Sequence, residues 1–322
     1  MALPHTSVSS TSDPSTSDPS TSDPSTSDPS TMTDEPASAA SLSDPHASRS
    51  EAAVAFVRKV LPQIHRAFAE RNWAVEFKAD KSPVTEIDRD VERRLRELIV
   101  DRFPDDAILG EEGDDRSGTT GYRWILDPID GTRPFVHGVP LFGTLAAVEY
   151  RGPESDRAMP VVGVCATGVG ESARIHEASQ QFGEWVGGVY RANGKRAPES
   201  LQAGECDALK QATVCYTQLD LFDDAFQRRL LELLVKRCRL VRGWGDCYGH
   251  MLVATGKADV MIDTQMSLWD AAALEPIAKA AGVLFMDLDG VERHDGGSAI
   301  SCVPALAGEL LDLFMQARAD TL

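Results

Sequence analysis

The 322-residue sequence predicts an α+β half joined to an α/β half. Three observations predict it. Two helix-period segments come first, short apolar strands follow them, and after Gly194 strands and helices alternate. Hydrophobic residues make up 42% of the chain, enough to bury the core of such a fold.

Residues 10–29 are four copies of Ser-Thr-Ser-Asp-Pro. A proline in every five-residue unit can neither continue a helix nor pair as a central strand, and the unit has no apolar side chain to bury. Residues 1–48 are therefore expected to be a disordered tail, with Met32 as a second candidate start. From Glu51 onward, Val54, Val57, Leu61, Ile64 and Phe68 recur at helical spacing, with a kink expected at Pro62. Ile87, Val91, Leu95, Leu98 and Ile99 predict a second helix over about 87–103, and Thr85 with Asp88 predicts an acidic capping box at its start. Apolar runs predict strands at 107–109, 124–126, 141–148, 161–166 and 172–178. The alternating part follows: helix 222–237, strand 240–242, helix 248–255, strand 259–262 and helix 270–281. Strands 284–287 and 299–303 and a helix over 304–317 complete it. Gly183, Gly187, Gly188, Gly194 and Pro198 mark loops, so the halves are expected to join near 185–200. The expected organisation is a tail over 1–48, an N-terminal half over 49–190 and a C-terminal half over 191–322.

Asp and Glu number 50 against 32 Lys and Arg, a net charge of −18. Residues 1–50 carry −6 of it, so the acidity belongs to the folded part as well. Nucleic-acid binding needs clustered cations, and an anionic membrane surface needs a polybasic segment, so neither partner is expected. No run of 18 apolar residues is present to span a bilayer, and residues 1–48 lack the apolar segment of a secretory signal. The six cysteines form no CxxC pair and are expected to be reduced, mostly buried thiols of a cytoplasmic protein.

The chain has no GxxxxGKS/T, GxSxG, HExxH or GxGxxG motif. Its chemistry is in carboxylates beside turns. Gly110-Glu111-Glu112 follows one apolar strand, and Asp127-Pro128-Ile129-Asp130-Gly131-Thr132 ends another. Two carboxylates three residues apart, with a backbone carbonyl between them, offer the oxygen ligands that Mg²⁺ takes; an Asx-turn is the other reading of the same spacing. If a helix starts at Thr132, its first amides can receive a phosphate oxygen. Asp270 alone reads as a helix N-cap, and Asp88 as a first-turn acid. His137, His176, His250 and His294 have no ligand spacing and read as surface or hydrogen-bonded interior residues.

Gly110-Glu111-Glu112, the run Asp127-Pro128-Ile129-Asp130-Gly131-Thr132-Arg133-Pro134-Phe135 and Trp269-Asp270-Ala271-Ala272, in that order and spacing, resemble the inositol monophosphatase superfamily. Ser82-Pro83-Val84-Thr85-Glu86-Ile87-Asp88 and Leu252-Val253-Ala254-Thr255-Gly256-Lys257-Ala258-Asp259 support the match, which covers about residues 50–320. Gly138-Val139-Pro140-Leu141-Phe142-Gly143-Thr144-Leu145 and the run from Leu240 to Gly249 are similar to the histidinol-phosphate phosphatase branch. Two positions depart from the pattern: Pro134 replaces a small polar residue, and Gly282-Val283 replaces Gly-Gly.

The resemblance implies a layered αβαβα sandwich and a Mg²⁺-dependent phosphomonoesterase acting on a small phosphorylated metabolite. By the same resemblance, Glu111, Asp127 and the Ile129 carbonyl hold one Mg²⁺. Asp127, Asp130 and Asp270 hold a second, and Asp88 supports a third. Thr132 with Glu111 orients the attacking water. Asp130, Gly131, Thr132 and Arg133 line the phosphate, while Arg242 and Asp263 contact the rest of the substrate. A homodimer is the common assembly of that family. The branch implies L-histidinol phosphate, in histidine biosynthesis, as substrate. Inositol-1-phosphate, fructose-1,6-bisphosphate and 3′-phosphoadenosine 5′-phosphate are the alternatives on the same scaffold. A non-catalytic metal-binding regulator is the alternative from another class.

Overall fold

Helical periodicity builds the first layer. In the computed structural model, which describes residues 44–71, 73–77 and 83–322, α1 spans Ala47–Glu70 and α2 spans Glu86–Arg102. Residues 1–43 of the predicted tail and Ser82 lie outside the described residues, while α1 begins at Ala47, inside the stretch to residue 48 that was expected to be tail. Helix α1 is continuous through Pro62, where a kink was expected. Val57, Val60 and Leu61 before the proline and Ile64 and Ala67 after it are all buried, so packing on both sides outweighs one missing hydrogen bond. Helix α2 opens with the predicted capping box. Thr85 Oγ1 accepts from the Ile87 N–H at 3.2 Å, and the Asp88 carboxylate accepts from the Thr85 N–H at 2.8 Å. Between the helices, β1 (Val75–Phe77) pairs antiparallel with β2 (Pro83–Thr85).

Six strands form the first sheet in chain order: β3 (Ala107–Gly110), β4 (Tyr122–Asp130), β5 (Gly143–Tyr150), β6 (Met159–Thr167), β7 (Arg174–Gln181) and β8 (Glu184–Arg191). Only β3–β4 is parallel. A short helix, α3 (Thr132–His137), connects β4 to β5. Strand β8 occupies a stretch expected to be loop. Gly187 and Gly188 break the apolar alternation that marks a strand, yet a Cβ at Gly187 would lie 2.5 Å from the Glu177 carbonyl oxygen.

The rest of the chain supplies β9 (Thr213–Tyr216), α4 (Ala225–Arg237), β10 (Leu240–Arg242), α5 (Asp246–Ala254) and β11 (Val260–Asp263). Then come α6 (Leu268–Ala271), α7 (Leu274–Ala280), β12 (Leu284–Met286), β13 (Ala299–Cys302) and α8 (Ala307–Ala319). The five strands are ordered β10-β9-β11-β13-β12, parallel over the first three and antiparallel over the rest. The single helix expected over 270–281 is two, because Pro276 has no N–H for the Ala272 carbonyl.

Alternation along the strands stacks these elements. Trp124, Leu126, Ala146, Val148, Val162 and Val164 face α1 and α2. Ile125, Leu145, Ala147, Cys165 and Ala178 face Met251, Leu274 and Ile277 of α5 and α7. The same helices cover Cys215, Met261, Phe285 and Ala299 of the second sheet. Val214, Val260, Ile262 and Ile300 on its far face meet Leu230 and Leu234 of α4 and Leu310 and Phe314 of α8. The layers are thus helix, sheet, helix, sheet, helix, the expected αβαβα sandwich. No described helix is long and apolar enough to cross a membrane, and all six cysteines are free thiols.

Candidate metal and phosphate site

The site is built where β4 stops behaving as a strand. Asp127 pairs with Leu145 and Asp130 with Gly143, three steps on one strand against two on the other. Pro128 has no N–H for the ladder, and its carbonyl accepts from Thr144 Oγ1 at 2.8 Å. Such a bulge re-aims the chain, so two carboxylates that would otherwise point to opposite faces converge. Gly131 then turns the chain at φ +83°, where a Cβ would also lie 2.9 Å from the Leu141 carbonyl oxygen. Helix α3 begins at Thr132, as the sequence suggested. Pro134 sits in its first turn, where a backbone N–H has no helical partner to lose.

Asp270 arrives from the far half of the chain. It is not the N-cap; Ser267 is, and Asp270 completes a capping box by accepting from the Ser267 N–H at 2.7 Å. The box fixes a carboxylate that was expected to cap by itself. Oxygens of Asp127, Asp130 and Asp270 lie within 4.8 Å of one another. Asp127 is 1% exposed, and its Oδ1 has no hydrogen-bond partner. Asp130 accepts from the N–H of Cys247, on α5, so neither carboxylate is spent on a local Asx-turn. Burial, then the charges of Glu111, Asp130, Asp270 and Asp88, raises the Asp127 carboxyl well above the usual range. Burial and Asp130 do the same to Asp270, and burial and Asp246 to Asp130. Carboxylates gathered out of water around an unpartnered oxygen fit an oxygen-liganded divalent cation.

Glu111, Asp130, Gly131, Thr132, Arg133, Asp263 and Asp270 all line one cleft. Asp127 and Asp88 lie buried, each 1% exposed. The Thr132 hydroxyl is 2.9 Å from the Ile129 carbonyl oxygen and 3.4 Å from Asp88 Oδ1. Arg133 reaches Gln218 and Asp220. Arg242 is not brought to the cleft. It is exposed at the end of β10, and its guanidinium donates to the carbonyl of adjacent Val241.

Two features escaped the sequence. Asp246 lines the cleft, beside Gly131, in a left-handed conformation at φ 54°, and its N–H donates to Thr217 Oγ1 at 2.9 Å. Burial, Asp263 and Asp270 push its carboxyl up to about 8, against the pull of Arg133. Thr217 also hydrogen-bonds Asp263, which is backed by His250 Nε2 at 3.3 Å; His250 Nδ1 meets Ser301 Oγ at 2.7 Å. The available signal for Asp246 was its place just ahead of the helix expected over 248–255.

The residue pattern of the inositol monophosphatase family matches residues 46–319. The chain belongs to that family. It is 38% identical over 245 residues to the histidinol-phosphatase of Chlorobaculum parvum, covering 76% of this chain and 88% of that one. It is 33% identical over 244 residues to the histidinol-phosphatase of Mycobacterium tuberculosis, covering 76% and 89%. Among solved structures it resembles the extragenic suppressor protein suhB of Bartonella henselae, with TM-score 0.72 at 21% identity, covering 83% of this chain and 98% of that one. The last likeness concerns the fold. Family membership and the two relatives support a phosphatase of this superfamily.

Proposed function

We propose that the chain is a Mg²⁺-dependent phosphomonoesterase that hydrolyses L-histidinol phosphate to L-histidinol and phosphate. The observation that carries the phosphatase chemistry is the convergence of Asp127, Asp130 and Asp270 around the orphaned Asp127 oxygen, next to the Thr132 hydroxyl. Glu111, Asp127 and the Ile129 carbonyl would hold one cation; Asp127, Asp130 and Asp270 would hold a second, with Asp88 behind. When bound, the cations supply a lowered pKa for water and charge neutralisation for the ester. The residues do the rest. The Thr132 hydroxyl, held between the Ile129 carbonyl and Asp88, orients the incoming water together with Glu111. The first amides of α3 and Arg133 take the phosphate oxygens.

The leaving-group side selects the substrate. Asp246 and Asp263 line the cleft beside the proposed phosphate site, and a cationic amino alcohol would favour the charged form of those carboxyls, whereas inositol has no positive charge to offer. The names of the two relatives support the same choice. A phosphate-release panel with Mg²⁺ tests it. The chain should prefer histidinol phosphate in kcat/KM by about tenfold or more over inositol-1-phosphate, fructose-1,6-bisphosphate and 3′-phosphoadenosine 5′-phosphate. Faster hydrolysis of another member overturns the substrate. No turnover with any member, despite Mg²⁺ binding, overturns the enzyme in favour of a regulator.

A further inference from the structure

We propose that Glu92, together with Arg96, is a positioning residue that holds the Glu111 loop in the geometry that binds the cation. The inference rests on the reading of Glu111 as a cation ligand. Glu111 follows the last residue of β3, and its N–H, which donates to the Leu126 carbonyl of β4 at 3.2 Å, is the last tie of this strand to the sheet. Something else must fix the next residues. Glu92, on α2 and 1% exposed, accepts from the N–H of Glu112 at 2.8 Å and from the N–H of Gly113 at 2.9 Å. Its carboxylate is paired with Arg96 Nε at 2.7 Å. The Arg96 fork then donates to the carbonyls of Gly113 at 3.1 Å and Asp114 at 2.9 Å. One ion pair thus grips the loop from both its N–H and its C=O sides.

The approach is close enough that a side chain on the loop would displace the Glu92 carboxylate. A Cβ at Gly110 would lie 2.3 Å from Glu92 Oε1, and one at Gly113 would lie 2.9 Å from it. Glu92 is one helical turn from Asp88, whose carboxylate faces Thr132. A single capped helix therefore sets both the Thr132 side and the Glu111 side of the site. A bare structural ion pair would not need to accept from two backbone N–H groups next to a ligand. Groups that orient ligands in this way change metal affinity by about 10–100-fold when removed.

Calorimetric titration of Mg²⁺ into the full chain tests this, alongside the Mg²⁺ dependence of phosphate release. Glu92→Ala should weaken Mg²⁺ binding about tenfold or more and shift the half-saturating Mg²⁺ in parallel. At saturating Mg²⁺ its KM for histidinol phosphate should be unchanged. Glu92→Gln keeps an acceptor oxygen and should fall between, as should Arg96→Lys, which keeps the charge and loses the fork. A lowered melting temperature with unaltered Mg²⁺ affinity overturns the proposal. If Glu92→Ala does not fold, unaltered affinity in both Glu92→Gln and Arg96→Lys overturns it. Should the unmodified chain bind Mg²⁺ and hydrolyse no ester, the functional reading fails while the binding curves still decide this one. Absence of Mg²⁺ binding to the unmodified chain ends both.

Discussion

Asp127 is buried and has an oxygen without a protein partner, which makes it the acid on which the proposed cation site should depend most. Asp127→Asn should therefore lose more turnover than Asp130→Asn or Asp270→Asn at equal Mg²⁺, measured by phosphate release; an equal or smaller loss contradicts the proposal that it serves both cations. Thr132→Ala leaves all the carboxylates in place. It should lower kcat by about 10²-fold, as for one positioned catalytic group, with Mg²⁺ affinity little changed. Arg242→Ala should leave KM unaltered, since that side chain is outside the cleft, whereas Asp246→Asn should raise KM for histidinol phosphate. The acids of the site were legible because each sits in a local motif: a strand end, a Pro-broken turn, a helix start. Asp246 and the His250 that backs Asp263 were not, since only packing of α5 against β9 and β11 gives them their neighbours.

Elements were legible where apolar runs are unbroken, and their ends were set by chemistry the runs do not show. Strand β4 extends four residues past its apolar run, to Asp130, because the bulge keeps it paired with β5. Strands β1, β2 and β9, of three or four residues each, were not among those expected. Close contact between elements was equally hidden. Gly163 on β6 lies under the turn between α6 and α7, where a Cβ would meet the Ala273 carbonyl oxygen at 2.2 Å. Gly163→Ala must push the middle helices off the sheet and should destabilise the fold by about 1–3 kcal/mol, read from thermal or denaturant unfolding. An unchanged midpoint would show that the layers can separate without cost.

At the scale of the whole molecule, a buried charge network joins the layers. His294, 3% exposed, meets Glu149 of β5 at 2.8 Å and Glu275 of α7 at 2.7 Å; Arg123 pairs with Glu149 and Lys279 with Glu275. Burial alone would lower the imidazole pKa, but the two carboxylates raise it to about 9. An unfolded histidine titrates near ~6.5. The group binds its proton more tightly in the folded state, so its stabilisation is complete below the unfolded value and is lost as pH rises through the folded one. The melting temperature should fall between about pH 7 and 10 for the unmodified chain. His294→Gln should melt lower at neutral pH and lose less over that interval. Parallel slopes for the two proteins would remove His294 as the source.

The middle layer of helices also orders events in time. The first sheet is complete in the chain at Arg191, but the helices that cover its inner face end at Ala280. A ribosome adding 5–20 residues per second needs on the order of 5–18 s to cross that interval. Throughout it, Ile125, Leu145, Ala147 and Cys165 have been synthesised and their cover has not. Every newly made copy therefore presents an uncovered apolar sheet face for seconds. Transiently exposed apolar surface of this kind is prone to aggregation until residues 246–280 emerge to cover it.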